Sequence, residues 1–592
     1  MKIPAPGSVV GAILLGAFPV ITAAVTAASA VTRPTETASV EKPKLLLLNG
    51  HIRTPSGVVS ALAVNARGVI TAIGTDAQLQ PLKAQATRVI DLQGKTVLPG
   101  FDDQHVHPVF AGLQAQRCVI PQGANLKSLQ EHLRECARHA SPGAWITGGQ
   151  WDAPALGEPM DRSQLDAVAA GHPVLLGDTS EHSAWANSRA LQIAGIDRST
   201  SNPQSGIIER NAAGELTGVL REAAVPLVRQ HVPAPTSKEI EAALLSSSRI
   251  MLSYGITSFT EAAVGYSAGL SKEVGAYVAL NESGALPQRI RVCISWSPGD
   301  ETAEQFIAQH NLYTRERLSV DCVKIFLDGV PTDSHTAAML EPYVGKVVGR
   351  ADETSTKGML LVPQNVLNDA VARFDALGLA VKFHAAGDAA VRAGLSAIEE
   401  ARKRNGFSGV LHDVGHCTFV SREDIPRARK IGATFEVSPY LWSPSPINDS
   451  IAEAVGPRTI QRVWPVREML DAGALVVPGS DWSVVPSVNP WGAVEALVTR
   501  ERPGGSADSF GKAEAITVKE ALDLFTVNAA RHLHQQGRLG RVSVGTLADL
   551  VVLDQDPLTI AAGRLHTVKV LKTIINGDLV FDSAPERLPG RP

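Results

Sequence analysis

His105 and His107 stand one residue apart in the run Leu98-Pro99-Gly100-Phe101-Asp102-Asp103-Gln104-His105-Val106-His107. On a strand, residues two apart share a face, so both imidazoles would point one way while Val106 turns into packing. Such a pair on a rigid strand end can begin a metal site, provided that other strand ends supply the remaining ligands. Four places offer them. Lys324 lies inside the apolar run Val323-Lys324-Ile325-Phe326-Leu327, and His384 closes Val381-Lys382-Phe383-His384. His416 follows Gly415, and Asp481 follows Pro478-Gly479-Ser480. Taken singly, each has a structural alternative: a snorkelling lysine, hydrogen-bonded core histidines, a helix-capping aspartate. Taken together, imidazoles, one buried lysine and one carboxylate converge on a metal site.

The elements that must position them alternate short strand-like runs with longer helical patterns, the arrangement of a parallel sheet with helical crossovers. The candidate strands are 96–98, 257–260, 290–294, 320–327, 380–384, 410–414, 434–437 and 475–477, eight in all. Eight such units imply a closed (β/α)8 TIM-like barrel whose site sits at the carboxyl ends of its strands. The stretch 111–253 is too long for one crossover and is read as an inserted subdomain. Short apolar runs punctuated by Asn49-Gly50, Arg67-Gly68 and Asn576-Gly577 appear only near the two ends of the chain. Segments 44–97 and 541–585 are therefore expected to pair into one small β-sandwich flanking a barrel over 98–540.

At 592 residues the chain exceeds one ordinary core. A net charge of -4 without a basic run argues against nucleic-acid binding. Lys2, the apolar stretch 9–25 and Ala28-Ser29-Ala30 read as a secretory signal over 1–30, followed by a polar linker over 31–43. A periplasmic or secreted protein is the expectation, with no stable membrane insertion after cleavage. Of five cysteines, Cys118 and Cys136 could form one bridge, with buried free thiols as the alternative. Cys293, Cys322 and Cys417 sit in apolar strand-like runs and read as buried thiols.

The opening Pro-Gly-Phe-x-Asp-x-His-x-His resembles that of the amidohydrolase superfamily of metal-dependent hydrolases. Closer is its amidohydrolase family 3 branch, which includes N-substituted formamide deformylases. Trp151-Asp152, the run 181–188, the run 324–329, His384-Ala385-Ala386-Gly387-Asp388, Gly479-Ser480-Asp481-Trp482 and the run 545–554 carry that similarity. The resemblance implies that His105, His107 and Asp481 bind one divalent metal and His384 and His416 another. Lys324, carboxylated by carbon dioxide, would bridge two ions. Zinc suits such donors, and manganese, iron or cobalt fit similar geometry. Burial beside cations lowers a lysine's pKa and makes it a neutral nucleophile, in keeping with that role. The sequence departs from the family at Gly415, where relatives usually carry Glu before the ligand histidine. His412 lies two steps of two earlier and is read as a stand-in ligand or substrate contact.

The implied activity is hydrolysis of an amide-type C–N bond by metal-activated water, with Asp481 moving the proton to the leaving nitrogen. His182 and His335 are the candidate substrate contacts, and Glu222 and Glu261 are weaker candidates or supporting partners of such residues. The same fold also supports ester, lactone or ring C–N hydrolysis, and a non-catalytic exported binding protein is the reading from another class. The partner is a small-molecule substrate, with a homodimer as the default assembly.

Overall fold

Gly100 splits the run carrying the paired histidines into two strands that serve different sheets. The computed structural model describes residues 42–121, 123–344, 356–442, 445–485 and 487–584. In it Thr96–Pro99 pairs antiparallel with Leu550–Leu553 and parallel with His51–Thr54, whereas Phe101–Val106 joins the central sheet. A Cβ at Gly100 would stand 2.2 Å from Thr257 Oγ1, so only glycine fits the junction. The first barrel strand is therefore 101–106 and not the apolar 96–98 expected from sequence. All six of its residues are buried. Hydropathy hides the strand because Asp102, Asp103 and Gln104 spend their polarity on bonds inside the barrel.

The barrel strands are β1 (Phe101–Val106), β2 (Ile256–Val264), β3 (Arg289–Ser295), β4 (Leu318–Phe326), β5 (Ala380–Ala385), β6 (His412–His416), β7 (Ala433–Val437) and β8 (Leu475–Pro478). They form one eight-stranded sheet in sequence order, each parallel to the next. Val106 bridges Trp482, Asp481 N–H donates to His105 O at 2.7 Å and His107 N–H to Trp482 O at 2.8 Å. These bonds join the carboxyl ends of β1 and β8. Crossover helices begin where local chemistry says they should: Thr236 and Glu239 form a capping box at the head of Ser237–Ser253.

Both chain ends contribute to one six-stranded sheet, in which Leu550–Leu553, Val570–Ile575 and Asp578–Asp582 lie beside Thr96–Pro99, His51–Thr54 and Gly57–Val59. It faces a four-stranded sheet of Leu45–Leu48, Ala61–Val64, Ile70–Gly74 and Arg88–Asp91 through Leu45, Leu47, Leu62, Ile52, Val97, Leu550 and Val552. The alternating residues Val551 and Leu553 turn the other way into the barrel's core. Between β1 and β2 a separate six-stranded sheet runs from Cys118–Val119 to Leu216–Glu222. Its bounds are narrower than 111–253, because Pro108–Gln114 and Ser237–Ser253 belong to the barrel's own helical layer. Gly112 permits that packing, since a Cβ there would lie 2.3 Å from Ala243 O.

Cys118 is bonded to Cys136, and Cys293 on β3 to Cys322 on β4, leaving Cys417 as a buried free thiol. The second bridge corrects the reading of Cys293 and Cys322 as thiols. Strand register places them side by side, which a linear sequence does not disclose. The expected signal, 1–30, and the linker up to 41 lie outside the described residues.

Candidate metal centre

β1 and β8 bring three donors together. His107 Nε2 lies 3.4 Å from Asp481 Oδ1 and His105 Nε2 lies 3.6 Å from it. Ligand atoms of His105, His107 and Asp481 all fall within 4.8 Å of one another, a spacing that one ion can span. The far nitrogen of each ring is already engaged. His107 Nδ1 is 3.3 Å from Glu261 Oε1, itself anchored by Tyr277 Oη at 2.7 Å from the other carboxylate oxygen. His105 Nδ1 lies 2.5 Å from Glu436 Oε2. A carboxylate accepts, so a proton sits on each Nδ1, and the Nε2 atoms of both rings face Asp481.

Glu436, on β7, escaped sequence reasoning and answers the departure at Gly415. A Cβ at Gly415 would come within 2.6 Å of Glu436 Oε2, and one at Gly479 within 2.2 Å of His105 Cβ and 2.9 Å of Glu436 Oε1. The two glycines thus vacate the volume that the neighbouring strand's carboxylate and the His105 ring occupy. Behind Glu436 an ionic chain continues down the barrel. Lys382 Nζ is 3.7 Å from Glu436 Oε2 and donates to Asp413 Oδ1 at 2.9 Å, and His532 Nε2 is 3.2 Å from Asp413 Oδ2. The only sequence signal was the alternation of Thr434, Glu436 and Ser438 with apolar residues along one strand.

Lys324 reaches the same cleft from β4, its Nζ 3.4 Å from His105 Nε2 and 5.0 Å from the Phe326 ring centre. The His416 ring, on β6, lies 4.7 Å from that of His105 and 4.4 Å from that of His384, and His416 Nδ1 is 3.7 Å from Asp481 Oδ2. His384 Nε2–H donates to Gly329 O at 3.0 Å, leaving Nδ1 as its lone-pair nitrogen. His182, from the insert, stacks obliquely 4.8 Å from His384 and is held by Glu222 Oε2 at 2.9 Å. A cavity of about 50 Å³ is lined by His105, His107, Lys324, His416, Asp481 and His182, among others. His335 stacks on Tyr343 with ring centres 4.3 Å apart and is not among the residues lining that cavity. His412 does not stand in for a ligand: its Nδ1 accepts from Val381 N–H and its Nε2 faces Asp375 at 3.0 Å, behind the sheet.

Burial sets the protonation states. It holds His105, His384 and His416 well below the ordinary imidazole range, aided by the Lys324 charge, so all three are neutral donors near neutral pH. Burial also opposes charge on His107, but hydrogen bonds to Asp481 and Glu261 outweigh it and raise the ring to about 9. A cation between these groups would displace that proton. Lys324 is lowered to about 8, first by burial and then by Lys382. His416 and Asp481 both hold left-handed backbone, φ 68° and 57°, at a cost of about 1–3 kcal/mol each. Such strain at two adjacent donors is what a site held by its surroundings displays. Three neutral imidazoles, a carboxylate and a lysine lowered toward neutrality make a donor set suited to divalent metal.

The sequence model of the amidohydrolase family matches residues 88–581. The chain is 27% identical over 522 residues to the putative amidohydrolase YtcJ of Bacillus subtilis (strain 168), covering 87% of this chain and 95% of that protein. It is 27% identical over 570 residues to the N-substituted formamide deformylase of Arthrobacter pascens, covering 91% and 98%. An uncharacterized metal-dependent hydrolase from Pyrococcus horikoshii shares the fold with a TM-score of 0.67 at 23% identity, covering 88% of this chain and 99% of that one.

Proposed function

Because the chain belongs to the amidohydrolase family and is a hydrolase, we propose that it cleaves an amide-type carbon–nitrogen bond, other than a peptide bond, in a small molecule. The observation that carries this reading is the convergence of His105, His107 and Asp481 with Lys324 and His416 on one cleft, with the His384 ring 4.4 Å from that of His416. A divalent metal bound there supplies Lewis acidity and brings a water's pKa toward neutrality.

The protein's own groups do the rest. His105, His107 and Asp481 would hold one ion and His384 and His416 a second, with zinc the natural occupant of such donors. Lys324, lowered by burial to about 8, is partly neutral at physiological pH. Its amine can therefore add to carbon dioxide, forming an N–C bond and losing a proton to give a carbamate, whose oxygens would be further donors for bound metal. Glu436 and Glu261 fix the tautomer and orientation of His105 and His107. His182, held up at about 9 against burial by the charge of Glu222, is an imidazolium that donates a hydrogen bond to the substrate's developing oxyanion. Asp481 takes up a proton during attack and returns it to the leaving nitrogen. Export is part of the proposal. It rests on the signal-like segment 1–30 and is supported by two disulfides in a chain of five cysteines.

The deciding experiment measures metal per chain in purified mature protein beside the Lys324→Ala variant. About two equivalents, falling in the variant, is the expected result for a bridged pair. One equivalent unchanged by the substitution would reduce Lys324 to a bystander, and metal-free protein that binds none on reconstitution would sink the reading.

A further inference from the structure

The metal cleft does not end at its ligands. Phe110, Glu181 and Tyr266 line it and also line a larger cavity, of about 520 Å³, between the insert and the barrel. Much of that outer cavity is apolar, through Phe110, Leu175, Pro226 and Val232. Two guanidiniums break the pattern. Arg117 precedes the insert's first strand, and Arg229 ends the short helix Pro226–Arg229 with its guanidinium 5.3 Å from the Tyr266 ring centre. Neither forms an ion pair among the described residues; Arg229 has the Tyr266 side chain as its nearest polar partner, and Arg117 makes no hydrogen bond there.

Two cations turned into one apolar cavity need an anion, because like charges side by side in a poorly solvated space repel. The carboxyl facing them, Glu181, is a single group shared between two cations and cannot balance both. Its Oε1 accepts from Gln114 Nε2 at 2.6 Å, and burial raises the group to about 7. Asp178, whose charge Arg229 also senses, is turned to Ser180 Oγ at 2.5 Å and the Ser183 amide at 2.9 Å. We propose that the outer cavity is a subsite for the far end of the substrate, in which Arg117 and Arg229 bind a carboxylate joined to the scissile amide by an apolar chain. This rests on the hydrolase reading and names its substrate class: N-acyl or N-formyl amines that carry a remote carboxylate. The apolar walls take the spacer, and planar guanidiniums match a carboxylate's two oxygens.

Binding is measured apart from turnover with 8-oxononanoate, a ketone that cannot be hydrolysed, and with its terminal amide, by calorimetry on metal-loaded protein. The acid should bind about tenfold tighter than the amide, one charge-assisted contact's worth. Arg117→Gln and Arg229→Gln should each erase that preference with an unchanged thermal midpoint, and Arg117→Lys should keep most of it. Equal affinities, no binding of either compound, or a preference that survives both glutamine variants would overturn the subsite. Release of 6-aminohexanoate from N-acetyl-6-aminohexanoate is followed separately. Preference for the acid without release would uphold the subsite while the hydrolase reading fails, and turnover of neutral amides without any preference would do the reverse.

Discussion

Glu436 accepts from His105 Nδ1 at 2.5 Å and stands 3.7 Å from Lys382 Nζ, so its charge serves a ring of the proposed metal centre and a buried cation together. Replacing it by glutamine keeps the volume and removes the charge. Metal affinity in Glu436→Gln should fall about 10–100-fold, the usual effect of losing a carboxylate behind a ligand histidine. Competition with a chelator of known affinity measures it, and an unchanged dissociation constant would mean that backbone alone orients His105. Asp481 calls for the opposite separation of effects. Asn at this position retains an oxygen toward His105 and His107 but cannot carry a proton, so Asp481→Asn should keep most of its metal while turnover drops about 10²–10⁴-fold. Turnover close to wild type in a metal-replete variant would assign the proton transfer elsewhere.

At the scale of elements, what could be read from sequence followed from contrast with the surroundings. Lys324 and His384 stand out because apolar β4 and β5 residues frame them, and Asp481 because Pro478-Gly479 ends an apolar run. β1 and Glu436 were hidden for the converse reason. Their polarity is satisfied only by strands distant in sequence: Asp103 Oδ1 accepts from Ser480 N–H at 2.9 Å, and Glu436 meets His105 across 331 residues. A polar strand in the middle of a barrel looks like a surface strand until its partners are in place. Gly479 shows how tightly β1, β7 and β8 are fitted. Its missing side chain makes room for His105 Cβ at 2.2 Å from where a Cβ would lie. Gly479→Ala should cost about 1–3 kcal/mol through forced displacement of β1 and should lose metal as well. Gly537→Ala is the matched control, since a Cβ there meets nothing within 4 Å. Thermal midpoints and metal content of the two variants test the argument, and equal midpoints would refute it.

For the whole molecule, the barrel interior is an ionic assembly held inside an apolar shell, and this gives stability an uncommon dependence on pH. Burial raises Asp102 to about 7 and Asp328 to about 8, each from an ordinary value of 3.8. His107 and His182, against the opposing effect of burial, are raised from 6.5 to about 9 by neighbouring carboxylates. All four hold protons in the folded chain that the unfolded chain releases, so each contributes stability that is lost as pH rises through its folded value. His105, His384 and His416, lowered by burial, are neutral whether folded or unfolded above about pH 7 and add no slope there. Lys324 acts in the other direction only above about 8. Metal-free protein should therefore lose stability between about pH 7 and pH 8, by up to about 1.4 kcal/mol per pH unit for each proton released. Metal binding uses the same deprotonations and becomes stronger over that interval. The gap in thermal midpoint between metal-loaded and metal-free protein should consequently widen from pH 7 to pH 8. A gap that narrows would show that the buried Asp102 and Asp328 are already ionised at pH 7.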